Sequence, residues 1–226
     1  MNHLSTITKH NHLVEASYRL SLVGQRVFLL ALAKINPHAK LLKQYEITAE
    51  EYAREYKISP KIAYRDLKEG LDELYNADIK LNDMELKILT RRRIIDEAKY
   101  HYGEGKISIS FPEKLEPFLC ELHGQYTQYR IGQVSCLRSP HSIRLYELLI
   151  QFRKTSERLI TIKKLRDWFR LEKKYKQYGD LNKWVIKRSV DELNSKTNLL
   201  IKYDCIKKGR SANSVLFSFN ETEISK

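Results

Sequence analysis

With 226 residues, 42% of them hydrophobic and only 8 Gly and 5 Pro, the chain is long enough for one large or two small globular domains and is not of the disordered class. Its net charge of +13 is uneven: residues 1–120 hold 19 basic and 17 acidic side chains, whereas residues 121–226 hold 22 and 11, which predicts that the second half faces a polyanion. No apolar run is long enough to cross a membrane, no signal peptide is visible, and three scattered cysteines without zinc-ligand or redox spacing predict a reduced cytoplasmic protein without a metal or other cofactor.

The first third of the chain shows one broad apolar helix followed by two capped helices. Residues 1–11 are polar and are expected to form a loose terminus. Apolar residues cover a wide face of residues 22–35, which predicts a core helix. Thr48 and Glu51 match a capping box, and Ser59-Pro60 combines a cap with proline at the first helical position. A helix is therefore predicted after each of these two start signals.

The helix that follows Ser59 has separate apolar and basic faces. The apolar positions recur at helical spacing and should face the core, at Ala63, Leu67, Leu71 and Leu74. The opposite face carries Lys61, Tyr64, Arg65 and Lys68. Three β-rich runs follow, at residues 79–81, 87–95 and 106–111, with a turn at residues 103–105. Helix, helix and hairpin in this order predict a winged helix.

The second half repeats this order with more positive charge. Residues 112–135 are expected to be a connector with a short helix, and Ser139-Pro140 begins another apolar helix. The stretch from Thr161 to Arg210 then holds a short helix, a basic connector, an amphipathic helix over residues 180–194 and two strand-like runs. It contains 15 Lys and Arg against 6 Asp and Glu. This charge on a helix-turn-helix order indicates a DNA-binding surface.

Two segments recur along the chain in the same order. Residues 47–56 parallel residues 160–169, and residues 71–76 parallel residues 190–195, at offsets of 113 and 119 residues. The second copy therefore has a six-residue insertion in its connector. We predict an α+β fold of two tandem winged-helix domains related by an internal pseudo-repeat. The expected N-terminal domain spans residues 1–125 and the C-terminal domain residues 126–226.

Several segments resemble the iteron-binding plasmid replication initiators. The opening of that family is similar to residues 11–32, NHLVEASYRLSLVGQRVFLLAL. Further matches are Tyr126-Thr-Gln-Tyr129, the RLYELL block at residues 144–149, and Lys207-Lys-Gly-Arg210 with the alternating strand after it. The resemblance covers residues 11 to 220, nearly the whole chain, and extends to initiators of small circular plasmid-like DNAs.

This resemblance implies a plasmid replication initiator that binds direct repeats in double-stranded origin DNA. It implies that the monomer initiates replication, while a dimer formed through the N-terminal domain represses the protein's own promoter. The C-terminal domain would be the main reader of DNA, and the N-terminal domain would make secondary contacts. The expected partners are origin DNA, a second copy of the chain, and the host's replication initiator and helicase. No membrane partner and no enzymatic activity are expected.

The charge pattern and the helical phase single out candidate DNA contacts. An outward recognition-helix face reads base edges, whereas flanking lysines bind phosphates and set the register. In the second domain the candidates are Lys173, Lys174, Lys176, Asn182, Lys183, Trp184, Lys187, Arg188, Lys207, Lys208 and Arg210. Trp184 is equally compatible with a core position if the helix is rotated. In the first domain the candidates are Lys61, Tyr64, Arg65 and Lys68, with Arg91, Arg92 and Arg93 on or near the wing.

Three other functions are compatible with parts of the sequence. A transcriptional repressor without a role in replication would present the same DNA-binding surface. A protein–protein module is an alternative for the nearly neutral first domain alone. A rolling-circle nuclease would need paired histidines and a helical tyrosine, for which His10, His12 and Tyr203 are weak matches because His10 and His12 lie in a polar terminus and Tyr203 in a strand-like run.

Overall fold

The computed structural model describes residues 6–83, 87–122 and 124–222, and it divides the chain into two compact units, Met1–Cys136 and Leu137–Lys226. The division falls between residues 136 and 137 rather than between 125 and 126. The reason is a strand at residues 126–130 that pairs with the N-terminal strand and therefore belongs to the first unit.

The first unit contains five helices and seven strands in its described residues. The helices are α1 (Asn11–Val14), α2 (Leu22–Leu32), α3 (Ala49–Tyr56), α4 (Pro60–Asn76) and α5 (Glu116–Leu119). The strands are β1 (Thr6–His10), β2 (Tyr45–Thr48), β3 (Asp78–Asp83), β4 (Ile88–Arg93), β5 (Glu97–His101), β6 (Lys106–Ser110) and β7 (Tyr126–Arg130). Short 3-10 turns at Glu113–Leu115 and Ile131–Gln133 flank α5 and β7.

The start signals in the sequence form the predicted caps. The Thr48 hydroxyl accepts a hydrogen bond from the Glu51 amide at 3.1 Å, and the Glu51 carboxylate accepts one from the Thr48 amide at 3.0 Å. Ser59 caps α4, with Pro60 as its first residue. The four apolar positions predicted on α4 are all buried. Local hydrogen bonding and apolar spacing thus explain both helices.

Three strands form the sheet of the first winged helix, in the order β2-β6-β5. The wing is the β5–β6 hairpin, and its turn contains Gly103 and Gly105, both at positive φ (81° and 64°) that glycine adopts without strain. The hairpin β3–β4 forms a separate two-stranded sheet. Arg91, Arg92 and Arg93, which were predicted on or near the wing, therefore lie on β4 of this separate hairpin and not on the wing strands themselves.

The N-terminus is a strand rather than a loose segment from residue 6 onward. β1 pairs antiparallel with β7, from Thr6 opposite Arg130 to His10 opposite Tyr126. The Ile7 and Lys9 side chains are fully buried. Residues 6–10 are thus corrected to a strand, and so is the part of the expected connector at residues 126–130, because each segment supplies the other's backbone hydrogen-bond partners. The short helix expected in the connector is present as the 3-10 turn at Glu113–Leu115 and α5. Residues 1–5 lie outside the described residues.

The second unit repeats the winged-helix order. Its helices are α6 (Pro140–Ile150), α7 (Ile162–Trp168), α8 (Tyr178–Leu181) and α9 (Lys187–Lys196), with a π-helical segment at Asn182–Ile186 between the last two. Its strands are β8 (Glu157–Thr161), β9 (Leu199–Lys208) and β10 (Ser211–Glu221). The sheet order β8-β10-β9 corresponds to β2-β6-β5 in the first unit. The predicted fold of two tandem winged helices is confirmed.

The internal repeat corresponds to equivalent positions in the two units. Ile47 and Ile160 are both buried at strand ends, and Thr48 and Thr161 both cap the next helix. The matched apolar positions of the later helices are buried in both units, at Leu71, Leu74, Val190 and Leu193. The repeat therefore marks the residues that build the helix-turn-helix core. In the described ranges, none of the helices has the length and apolarity that a membrane span requires.

Candidate DNA-binding surfaces

The segment from α8 to α9 presents a clear outward face in the second unit. Its inward positions are buried, at Leu181, Val185, Ile186, Ser189, Val190 and Leu193. Its outward positions are exposed, at Lys183, Trp184, Lys187, Arg188 and Asp191. The predicted helical phase is confirmed, and Trp184 is outside the core with 40% of its surface exposed. The sequence did not predict the π-helical segment, a feature that often occurs at functional sites.

Two polar residues on this segment already have protein partners. The Asn182 side-chain oxygen accepts a hydrogen bond from the Tyr203 hydroxyl at 2.9 Å. Partial burial raises the pKa of Tyr203, so its hydroxyl stays a donor at neutral pH. Lys187 Nζ lies 2.8 Å from Asp191 Oδ2, and this hydrogen bond raises the pKa of Lys187. Lys187 is therefore a stable cation, while Asn182 has its amide nitrogen left to donate.

Trp184 stands between two cations on the outward face. The Arg188 Cζ atom lies 4.2 Å from the centroid of the indole ring, and Lys183 Nζ lies 4.9 Å from it. Both distances are within the range of cation–π attraction. Arg188 follows Trp184 by four residues, so the two side chains meet on successive turns. The exposed indole is thus covered in part by its basic neighbours.

The basic connector is held by an arginine that the sequence did not single out. Arg166, on α7, donates hydrogen bonds to the backbone oxygens of Lys174 at 2.8 Å and Lys176 at 2.9 Å. Lys173, Lys174 and Lys176 are exposed. One guanidinium fork therefore fixes the connector backbone while the lysine side chains extend into solvent. A carbonyl partner leaves no pattern in sequence, which explains why Arg166 was missed.

Replacing Arg166 with Ala is expected to loosen this connector. The change removes two charge-assisted hydrogen bonds, and hydrogen bonds to charged groups contribute about 1.5–3 kcal/mol each. If half of one such contribution supports the closed connector, tryptic cleavage after Lys173, Lys174 or Lys176 is expected to rise by roughly 4- to 13-fold. Cleavage rates are followed by mass spectrometry. The matched control is Lys163→Ala, an exposed cation on the same helix, and equal acceleration in both variants would refute the role given to Arg166.

The second wing carries its charge at the tip of a tight hairpin. Lys208 pairs with Ser211, so Gly209 and Arg210 form a two-residue turn. Gly209 has a φ of 62°, which glycine adopts without a steric penalty. Lys207, Lys208 and Arg210 are all exposed. The predicted basic hairpin tip is therefore present. It follows the α8–α9 segment in the chain, at the far end of β9.

The first unit presents the predicted face of α4 but few unpaired cations. Lys61, Tyr64, Arg65 and Lys68 are exposed. Arg65 forms an ion pair with the buried Asp66 at 3.1 Å. A groove between α4 and the β5–β6 wing has Leu67 and Ile107 at its floor, with tyrosines at its sides (Tyr64, Tyr100 and Tyr102). The sequence did not indicate Tyr100 or Tyr102, because the run at residues 97–101 was not predicted to be a strand of the wing.

The three consecutive arginines bind within the first unit. Arg91 Nε lies 2.7 Å from Asp78 Oδ2. Arg92 donates to the backbone oxygen of Lys114 and lies over Phe118, with Cζ 5.4 Å from the ring centroid. Arg93 donates to the backbone oxygens of Tyr75 at 3.3 Å and Asn76 at 3.0 Å. These contacts tie the β3–β4 hairpin to α4 and to the region before α5.

The histidines and the tyrosine that resemble a nuclease site take part in hydrogen bonds within the fold. The His10 side chain caps α1 by accepting from the His12 amide at 3.1 Å, and the two imidazole centroids are 4.8 Å apart. Tyr203 lies on β9 and donates to Asn182, so it is on a strand as the sequence predicted. Across residues 6–83, 87–122 and 124–222, no three His, Cys, Asp or Glu side chains form a group that could hold a metal ion.

Two winged helices, each with an exposed face on its later helix beside a β-hairpin, define this chain as a double winged-helix protein. Family comparison agrees with that class. The model described as "Initiator Replication protein, WH1" matches residues 6–150, and "Initiator Rep protein, WH2" matches residues 161–219. The chain therefore belongs to this family of replication initiator proteins, and the resemblance seen in the sequence is confirmed.

Known relatives align over most of the chain. The PI protein of Escherichia coli is 26% identical over 255 residues, covering 97% of this chain and 84% of the relative. A replication initiation protein of Escherichia coli is 26% identical over 220 residues, covering 93% and 68%. The crystal structure of Pi initiator protein in complex with iteron DNA matches with a TM-score of 0.84 at 25% identity, over 99% of this chain and 100% of that one.

Proposed function

We propose that this protein initiates plasmid replication by binding directly repeated double-stranded DNA, the iterons, at the origin. The observation that carries the proposal is the likeness over the whole chain to an initiator solved on iteron DNA. The basic outward face of α8 to α9 and the basic β9–β10 tip supply the surface that such binding needs. The role belongs in the cytoplasm and requires neither a cofactor nor catalysis by the protein itself.

In the second domain, the proposed contacts separate into base readers and phosphate binders. Arg188 donates two hydrogen bonds to guanine, and Asn182 pairs with adenine, with its amide nitrogen free and its oxygen shared with Tyr203. Trp184 and Lys187 lie beside them. The proposed phosphate contacts are Lys173, Lys174, Lys176, Lys183, Lys207, Lys208 and Arg210, whose exposure supports this role.

In the first domain, the proposed DNA contacts are weaker. Lys61, Tyr64, Arg65 and Lys68 on α4 face the DNA in this proposal, and the nearly balanced charge of residues 1–120 supports a secondary role. Contact by Arg91, Arg92 and Arg93 requires that each exchange its present protein partner for a phosphate. We propose that residues 1–125 also mediate a dimer that represses the protein's own promoter, and that the host initiator and helicase bind the DNA-bound monomer.

Replication of a marker plasmid tests the function directly. Bound sequences are first selected from random DNA with the full chain, and tandem copies are then sought in the parent replicon. A plasmid that carries these copies, and no other origin, is expected to replicate only when the protein is supplied in trans. Binding without replication would instead assign the protein to the transcriptional repressors. If selection yields no enriched sequence, the proposal fails altogether.

A further inference from the structure

Arg188 differs from Arg65 and from the arginines of β4, which are also proposed to contact DNA but already have protein partners. In the part of the chain that the structure describes, the Arg188 guanidinium makes no hydrogen bond and no ion pair, and its contact is the indole of Trp184. By contrast, Arg65 and Arg91 bind carboxylates, and Arg93 binds backbone oxygens. All five N–H donors of Arg188 are therefore available to a ligand.

The stack restricts where those donors point. A free arginine side chain has many rotamers and loses that freedom when it binds, which weakens binding. With Cζ only 4.2 Å from the ring centroid, the indole holds the guanidinium against one surface of the helix. The edge of the guanidinium stays open, and this edge is the planar fork that matches O6 and N7 of guanine.

The position of Trp184 supports a role in binding rather than in folding. The side chain lies on the outward face with 40% of its surface exposed, while Val185 and Ile186 beside it are buried. The buried neighbours therefore supply the core contacts of the helix, while the indole of Trp184, although more than half covered, faces outward. A second cation, Lys183, has its Nζ 4.9 Å from the ring centroid and adds positive charge beside the indole.

We propose that Trp184 is a positioning residue for Arg188, and that the indole–guanidinium stack sets the base preference at one guanine of the recognised repeat. The proposal rests on the proposed function, since it concerns how the same helix reads DNA. It assigns Trp184 no base contact of its own. Loss of the aromatic ring should then affect discrimination at a single base pair and not the general attraction to DNA.

The experiment measures equilibrium binding of the full-length chain to the selected repeat and to a panel in which each base pair is replaced in turn. Wild-type protein is expected to discriminate by roughly 5- to 150-fold at one G·C pair, the range for a bidentate base contact. Arg188→Ala should abolish discrimination at that pair. Trp184→Ala should reduce it by roughly fivefold or more, whereas Trp184→Phe, which keeps an aromatic face, should retain most of it.

Two further measurements separate positioning from a structural effect. The dependence of affinity on salt should be unchanged in Trp184→Ala, because no phosphate contact is removed. In the Arg188→Ala background, Trp184→Ala should add no further loss at that base pair. Leu200→Ala is the control, since Leu200 is an exposed side chain on β9 outside the proposed surface. It should bind like the wild type.

The outcomes that overturn the proposal are distinct from failure of the function. Full discrimination in Trp184→Ala, or an equal loss in Trp184→Phe, would show that the stack does not position Arg188. Unchanged discrimination in Arg188→Ala would show that no base is read there. If Trp184→Ala does not fold, Trp184→Leu is tested by the same criteria. An absence of any sequence preference in the wild type would reject the proposed function itself.

Discussion

Raising the monovalent salt concentration from about 50 to 200 mM is expected to weaken binding to the specific repeat by roughly 1,000-fold. The reason is that each phosphate contact releases condensed counterions from the DNA. On the order of six contacts, as proposed for the connector lysines and the β9–β10 tip, give a slope near −5 for log K against log salt. Binding titrations of the full-length chain at several salt concentrations measure this slope.

The hairpin tip provides a sharper form of the same prediction. Replacing Lys207, Lys208 and Arg210 together with Ala should make the slope shallower by roughly 2.7, because about three contacts are removed. A matched variant removes three exposed cations outside the proposed surface, at Lys40, Lys43 and Lys154. That variant should keep the wild-type slope. A wild-type slope near zero, or equal effects of the two triple variants, would contradict the proposed phosphate contacts.

Arg144→Ala is expected to destabilise the second unit by about 3–5 kcal/mol. Arg144 Nη1 lies 2.9 Å from Glu147 Oε2 on α6, and the two side chains are only 4% and 0% exposed. Removing the arginine leaves a carboxylate buried without this cation, and such a charge is costly in a site of low dielectric. Urea unfolding followed by tryptophan fluorescence measures the loss, because both tryptophans, Trp168 and Trp184, belong to the second unit.

Two comparison variants test the cause of this loss. The double change Arg144→Met with Glu147→Leu removes both charges and should recover most of the stability, since apolar residues of similar volume replace the pair. Asp191→Ala breaks the ion pair between Asp191 and Lys187, in which the two side chains are 59% and 60% exposed. This change should lower the free energy of unfolding by less than about 0.5 kcal/mol. A loss below about 1 kcal/mol in Arg144→Ala would contradict the account.

The buried pair belongs to a block that carries part of the resemblance to the initiators. The RLYELL block at residues 144–149 contains both Arg144 and Glu147, three positions apart on one helix. The other residues of the block, Leu145, Tyr146, Leu148 and Leu149, are buried as well. The whole block is therefore part of the core of the second unit, where changes of size or charge are costly.

Much of the fold followed from local patterns in the chain. The caps at Thr48, Ser59 and Thr161 connect a side chain to an amide three residues later, so they are visible in a short window. Apolar spacing correctly identified buried residues of α4 and of the segment from α8 to α9, but it left Trp184 compatible with either side until the structure placed it outside the core. The repeat and the charge imbalance then predicted two winged helices, of which the second is the more basic.

Only the tertiary structure decided which distant segments pair and which charges are already bound. β1 and β7 contain few apolar residues, and paired residues such as Thr8 and Gln128 are 120 positions apart in the chain. No local sequence pattern therefore predicts that the two strands pair. Arg91 and Arg188 are both arginines that the sequence offers as DNA contacts, yet one binds Asp78 and the other lies over the indole of Trp184. Helical phase depends on neighbours in the chain and is readable from the sequence. The partner of a charged side chain depends on what the fold brings within a few ångströms, and this is set only when the domain packs.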